Sequence, residues 1–343
     1  MTLPVLQRIA ALAEAGATVI GPAPQMSPAL NDDAEAFEAV VRRLWSGAAT
    51  TAIGRGQVIA GTDVDGLLDG AGRTSDFRCA GAASSCEVLF VHRHTADAEI
   101  YFVNNRRNAA ASVEAHFRVA NKRPEIWRAD TGETQRVTYR VDGGEIVVPL
   151  DFEPEDSYFV VFRDATTEES WTAAESVWQP IATLNGLWDV VFEPGRGAPG
   201  STQRLPLAPL NLNAQDGIRY FSGVTTYTKS FTLPNAAAVG TPLRLDLGSV
   251  GDLAEVRING VLAGSVWHKP FRLDISQAIR SGKNTVEVRV ANLWVNRLIG
   301  DLQPGQRKIT FTTLPTYRRD APLRASGLMG PVRLLGSRTS QRQ

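Results

Sequence analysis

The sequence predicts a multidomain, mainly β chain: a partial α/β (Rossmann-like) layer, then a small antiparallel β-sandwich, then a C-terminal jelly-roll β-sandwich. Three observations predict it. Apolar residues recur at helical spacing over the first 77 residues. From about residue 86 they alternate with the period of two that puts one face of a strand inward. Tight-turn dipeptides such as Asp142-Gly143 and Asn259-Gly260 punctuate that alternation. The expected domains are 1–77, 78–165 and 178–336, with a polar linker at 166–177 and a mobile tail at 337–343.

In the first segment, Leu3, Leu6, Ile9, Ala10 and Ala13 mark a helix, with Pro4 in the first turn, where a missing N–H costs nothing. Ala17-Thr18-Val19-Ile20 reads as a short buried strand. A second helix should follow Asn31 as its cap, with Asp32, Asp33 and Glu35 in the first turn and Phe37, Val40, Val41, Leu44 and Trp45 on its apolar face. Gln57-Val58-Ile59-Ala60 is a second strand, and Thr62 caps a short helix holding Leu67 and Leu68. Two strands buried on both faces are too few for a parallel sheet to stand alone. The segment therefore reads as the second half of a domain, and the chain as a fragment.

In the second segment, strands are expected at Val88 to His92, Glu99 to Val103, Ser112 to Val119, Ile126 to Ala129, Val137 to Val141, Glu145 to Leu150 and Tyr158 to Arg163. Turns separate them at Asn104-Asn105, Asp130-Thr131-Gly132 and Asp142-Gly143-Gly144. In the third, Trp188, Val190 and Phe192 alternate with Asp189 and Val191, and later pairs such as Leu243/Leu245 and Val286/Val288/Val290 repeat the pattern. Many short strands with tight turns give a jelly-roll-like sandwich.

Charge and composition narrow the function. The chain has 36 basic and 36 acidic side chains, so no basic stripe exists to draw nucleic acid. No run approaches the ~18 apolar residues of a membrane span, and Met1 to Leu12 lacks the basic start of a signal peptide. Cys79 and Cys86 lack the further ligands a zinc site needs, and two free thiols are expected. Gly195 to Gly200 spells G-x-G-x-x-G, but Pro206 and Pro209 bar the helix a dinucleotide site requires, so a loop between strands is expected. His92 and His94 share a strand face near Asp97 and Glu99; ordinary polar strand residues are expected rather than a metal site. Asp151, Glu153, Glu155 and Asp156 read as a solvated loop rather than a glycosidase carboxylate pair.

The candidate carbohydrate-binding residues are Trp267, His268, Trp294, Asn296, Arg297 and Asp301. Sugars are held by stacking of C–H faces on aromatic rings and by planar polar groups, and these residues supply both. The competing expectation, which is favoured, puts both tryptophans in the sandwich core and leaves the polar residues to brace a loop.

At these residues a resemblance appears. Gly223 to Leu233 (GVTTYTKSFTL) and Leu245 to Asp301 resemble the sugar-binding, galactose-binding-like jelly roll of glycoside hydrolase family 2. The segments LPVLQRIAALAEAGATVIGPAPQMSPAL, VLFVHRHTADAEIYFVNNR and DFEPEDSYFVVFR resemble the C-terminal part of α-L-rhamnosidases of glycoside hydrolase family 106. The resemblance implies an upstream catalytic (β/α) barrel that carries the acid and base carboxylates, associates with calcium and inverts the anomeric centre. It also implies a structural role for His92, Arg93 and Asn104 at a domain junction. This chain has no eightfold β/α repeat, so no catalytic residue, metal ligand or cofactor is assigned to it. The leading expectation is a non-catalytic region that supports the barrel and contacts a rhamnose-containing glycan through the parent enzyme. A stand-alone carbohydrate-binding protein and a purely structural domain set are the alternatives.

Overall fold

The computed structural model describes the 343 residues apart from 71, 73, 74, 82–86, 234–241 and 341–343. Strand accounts for 42% of it and helix for 13%, so the mainly β, multidomain reading holds. The chain divides into two compact units, Met1–Arg78 and Cys79–Gln343.

In the first unit, two helices, α1 (Leu3–Glu14) and α2 (Ala34–Leu44), accompany a three-stranded sheet. Thr18–Ile20 runs parallel to Gly56–Ile59, which pairs antiparallel with Thr50–Ile53. The sequence reading lacked this third strand: Thr50-Thr51-Ala52 hides the alternation, while Gly54, at φ 58°, turns the chain into a hairpin. Backbone packing fixes the turn. A Cβ on Gly56 would lie 2.2 Å from the Ala17 carbonyl and 2.4 Å from that of Ala13. Leu6, Ala10, Ala13, Phe37, Leu44, Ile53 and Val58 form the core. Contrary to expectation, the strands are not buried on both faces: Thr18 is exposed and Val19 and Ile20 are only half-buried.

The helix caps also differ from expectation. Asp33, not Asn31, caps α2 by accepting the Ala36 N–H at 3.1 Å. Asp32 instead accepts the Leu3 N–H at 2.6 Å and the Ser27 hydroxyl at 2.5 Å, tying down the start of α1. These two bonds, the Leu3 amide first, hold the Asp32 carboxyl below the usual carboxylate range. Asp63, rather than Thr62, accepts the Gly66 N–H at 3.0 Å to cap the helix Val64–Gly70.

The second unit holds two sandwiches. In the first, one five-stranded sheet orders Ser170–Trp171, Tyr139–Asp142, Glu145–Phe152, Ala111–Phe117 and Phe77–Gly81. The other orders Val88–His94, Glu99–Asn105, Ser157–Ala165, Lys122–Trp127 and Thr134–Arg136. Asp142 pairs with Glu145 across a Gly143-Gly144 turn with φ of 59° and 86°, the positive values that a two-residue hairpin needs. Asn104 and Asn105, expected in a turn, extend their strand, and the buried Asn105 side chain donates to the Ala109 and Glu153 carbonyls. Tyr101, Phe117 and Phe162 pack edge-on and tilted between the sheets.

The jelly roll packs a four-stranded sheet (Glu175–Thr183, Arg333–Ser340, Leu243–Asp246, Arg272–Asp274) against a six-stranded one. The latter orders Gln203–Leu205, Trp188–Phe192, Gly223–Thr232, Lys283–Asn292, Leu253–Ile258 and Val261–Val266. Trp188, Val190 and Phe192 point inward as their alternation predicts. Two expected boundaries dissolve into strands. Within 166–177, Ser170–Trp171 joins the first sandwich and Arg136 lies over the Trp171 ring at 4.2 Å. The segment expected as a mobile tail continues the last strand to Ser340, paired with Glu175–Thr183. The two sandwiches meet through Arg272, which reaches Asp246 of the jelly roll at 3.0 Å and Glu153 of the first sandwich at 3.1 Å.

Candidate functional site

Strand register gathers several loops at one end of the six-stranded sheet. Phe192 pairs with Thr225, Gly223 with Asn292, and Ala254 with both Val266 and Val290. The chain leaving Phe192, Asn292 and Val266 and the chain entering Gly223 and Leu253 therefore share one rim. Trp267 and Trp294 follow strands separated by a single strand, so their backbones leave the sheet roughly 10 Å apart.

Both tryptophans stand on the surface, with Trp267 64% and Trp294 45% exposed, contrary to the expectation that they are core. The inward positions of their strands are already filled by Val266, Val288 and Val290, which leaves no room inside for an indole. His268 lies edge-on to Trp267, at 4.8 Å between centroids. Its Nδ1–H donates to the Lys269 carbonyl at 2.8 Å, and its Nε2 stands 3.5 Å from Asp130 of the first sandwich. Arg196 lies over the Trp294 ring at 4.7 Å.

Arg196 was absent from the sequence candidates, although its signal was visible. It sits in the glycine-rich loop after Phe192, where Gly195 and Gly197 take φ of 77° and 92°. Glu193 anchors this loop. Its carboxylate accepts the Val224 N–H at 3.0 Å and the Arg196 guanidinium at 3.1 Å, bonds that hold it below the usual range against its partial burial.

Asn296, Arg297 and Asp301 belong beneath the rim, as the bracing expectation had it. Asn296 is 2% exposed; it donates to the Arg324 carbonyl at 2.7 Å and accepts the Arg324 N–H at 2.8 Å. Arg297 and Asp301 form a buried pair at 2.9 Å, each side chain 2% exposed. The contact lies off the N–H direction, so Arg297 Nε and Nη2 and Asp301 Oδ1 complete no hydrogen bond. Asp301 Oδ2 accepts the Ile309 N–H at 3.1 Å, the Thr310 N–H at 2.7 Å and the Thr310 hydroxyl at 2.5 Å. Burial pushes this carboxyl up, but the Thr310 and Ile309 donors and Arg297 outweigh it and hold it below the usual range. Gly300 is required here: a Cβ would lie 2.5 Å from Tyr220 and 2.7 Å from Arg297 Nη2.

Elsewhere, polar clusters brace the first sandwich. Glu99 takes the His92 Nε2–H at 2.8 Å and the His94 Nδ1–H at 2.7 Å, while His92 stacks on Tyr101 at 4.1 Å. These contacts lie within one sheet. Asp156, expected in a solvated loop, is buried and accepts the Tyr158 hydroxyl at 2.6 Å. Burial and that contact push the Tyr158 hydroxyl pKa far up. Glu153 is engaged by Arg272 and Asp151 by Ser112. A glycosidase general acid needs a carboxyl raised by its surroundings. Among the described residues the displaced carboxyls, Asp32, Glu99, Glu114, Glu193 and Asp301, all move down. Among the described residues, no group of three or more His, Cys, Asp or Glu residues is arranged to hold a metal ion. Cys79 is disulfide-bonded, against the expectation of two free thiols; Cys86 lies outside the described residues. No described helix is long and apolar enough to cross a membrane.

Residues 1–141 match the family model described as alpha-L-rhamnosidase, glycoside hydrolase family 106. The structure of a rhamnosidase from Novosphingobium sp. PP1Y superposes with a TM-score of 0.81 at 46% identity, covering 98% of this chain and 32% of that one. A Formosa agariphila protein, provisionally named a beta-glucuronidase, is 36% identical over 188 residues, 48% of this chain and 16% of that protein. Fold and sequence together thus define a relative of the glycoside hydrolases. More narrowly, its first 141 residues carry the match to the family-106 α-L-rhamnosidase model, and the chain as a whole is similar to a rhamnosidase of which it spans about a third.

Proposed function

We propose that this chain is a non-catalytic region of a rhamnosidase-type glycoside hydrolase, which supports a catalytic barrel carried upstream and presents a carbohydrate-facing rim. The observation that carries the reading is the match in extent: 98% of this chain aligns with a rhamnosidase, yet it accounts for 32% of that enzyme. The downward-shifted carboxyls and the exposed Val5, Leu12, Met26 and Leu30 of the first unit fit a supporting role. Exposed Trp267 and Trp294, with Arg196 over the latter, favour direct contact with a rhamnose-containing glycan. The test is release of 4-nitrophenol from 4-nitrophenyl α-L-rhamnopyranoside by the purified chain. No turnover is expected, and stoichiometric turnover that co-elutes with the chain overturns the reading.

A further inference from the structure

The two sandwiches meet along a charged seam, acidic on one side and basic on the other. The first sandwich contributes carboxylates from two turns. Asp130 and Glu133 lie between the strands Lys122–Trp127 and Thr134–Arg136, and Glu153 lies between Glu145–Phe152 and Ser157–Ala165. Arg128, the cation of the first of these turns, is engaged by Asp156 at 3.6 Å. The jelly roll supplies the opposing cations. Arg272 donates from Nη1 to Glu153 at 3.1 Å and from Nε to Asp246 at 3.0 Å. His268 Nε2 stands 3.5 Å from Asp130. Arg244, over the Trp178 ring at 4.1 Å, lies within electrostatic reach of Glu133.

Little else ties the sandwiches together. The jelly-roll core around Trp188, Leu245 and Val288 takes all its described members from residues 181–334, so that cluster does not extend into the first sandwich. The covalent link is short: Ser170–Trp171 still belongs to the first sandwich, and Glu175–Thr183 already belongs to the jelly roll. Polar junctions of this kind leave room for relative motion. The side chains of Arg272, Glu153, His268 and Asp130 are between 32% and 43% exposed. Dissolved ions therefore reach and screen each pair, and each is weak alone.

Two of the contacts come from one segment, residues 267–272. Its anchor is Phe271, which is buried in the jelly-roll core and accepts the Leu247 N–H at 2.9 Å. Arg272 follows the anchor and His268 precedes it by three residues. His268 also packs edge-on against Trp267, with 4.8 Å between centroids. One face of the His268 ring thus meets the rim tryptophan while its Nε2 meets the other sandwich.

We infer that residues 267–272 form an ionic strap, which latches the two sandwiches in one orientation, sets Trp267 at the rim through His268, and releases both as salt rises. Position at the rim and closure at the seam are then one event. This inference goes beyond the hydrolase reading and does not depend on it.

Small-angle X-ray scattering from the purified chain tests the latch. Salt is raised from about 0.01 M, where charges are screened over ~30 Å, to about 1 M, where the distance is ~3 Å. The radius of gyration of the native chain should rise. Arg272→Met and Glu153→Gln, each with unchanged circular dichroism, should show the high-salt value already at low salt, and the double variant should add nothing. Arg204→Met loses a pair confined to the jelly roll, with Asp189 at 3.5 Å, and should follow the native chain. In protein labelled with 5-fluorotryptophan, the Trp267 resonance, identified by its loss in Trp267→Phe, should shift in Glu153→Gln while that of Trp294 stays. Native scattering from both latch variants at low salt overturns the inference. So does a seam that opens while the Trp267 resonance stays in place.

Discussion

Removing the charge of Asp301 is the most informative single perturbation of the jelly roll. Arg297 and Asp301 are each 2% exposed and 2.9 Å apart. Deleting one partner of such a pair strands the other charge in a dry site, which costs about 3–5 kcal/mol. Asp301→Asn keeps an oxygen for the Ile309 and Thr310 donors and loses only the charge, so its cost should fall near the lower end of that range. Asp301→Ala also orphans those donors, at about 1 kcal/mol or more each, and should fall at or beyond the upper end. Urea unfolding of the second unit, monitored by tryptophan fluorescence, reads both. The double variant Arg297→Met/Asp301→Leu removes the stranded charge and should lose less than Asp301→Ala. A loss below about 1 kcal/mol for Asp301→Asn would show that water reaches Arg297, and the argument for a buried brace would be refuted.

Other outcomes follow from the same geometry. Asp301 has a lowered folded pKa, so in the unfolded state it binds the proton more readily. Its contribution is then present above the unfolded value near 4 and lost as pH falls through the folded one. Acid titration should show this loss in the native chain and not in Asp301→Asn. Gly56→Ala places a methyl 2.2 Å from the Ala17 carbonyl and should destabilise the first unit by about 1–3 kcal/mol. Its melting transition should fall while that of the second unit stays put. Trp267→Ala and Trp294→Ala remove largely exposed rings, and each should cost under about 1 kcal/mol. Large-scale unfolding of either would return the indole to the core. Because Cys79 is disulfide-bonded, an alkylating reagent should leave it unmodified in the unreduced, denatured chain and label it only after reduction.

The β domains were legible because alternation and turn chemistry agree there. The period of two places Trp188, Val190 and Phe192 inward, and Asp142 to Glu145 closes on two glycines with positive φ. The strand Thr50–Ile53 was hidden because its threonines and alanine carry almost no hydrophobic signal, and packing of Gly54 and Gly56 against α1 decides its place. The caps shifted because three carboxylate or amide residues stand together at Asn31-Asp32-Asp33, and only the fold shows that Asp32 serves the other helix. At the rim, the depth of the two tryptophans was misjudged. Tryptophan is apolar enough for either side of a sandwich. The choice was made by valines that fill the inward positions, a fact of register that no local pattern carries. Arg196 escaped because its partner Trp294 lies far along the chain.

The side chains that anchor the rim loops each grip main chain, whatever side-chain partners they also take. Asn296 holds both backbone groups of Arg324, Glu193 holds the Val224 amide, and Asp301 holds the amides of Ile309 and Thr310. Peptide groups are the same whatever residue carries them. Selection can therefore rewrite the tips of these loops, one amino acid at a time, without recutting the scaffold below, which leaves the surface chemistry of the rim and folding as nearly separate inheritances.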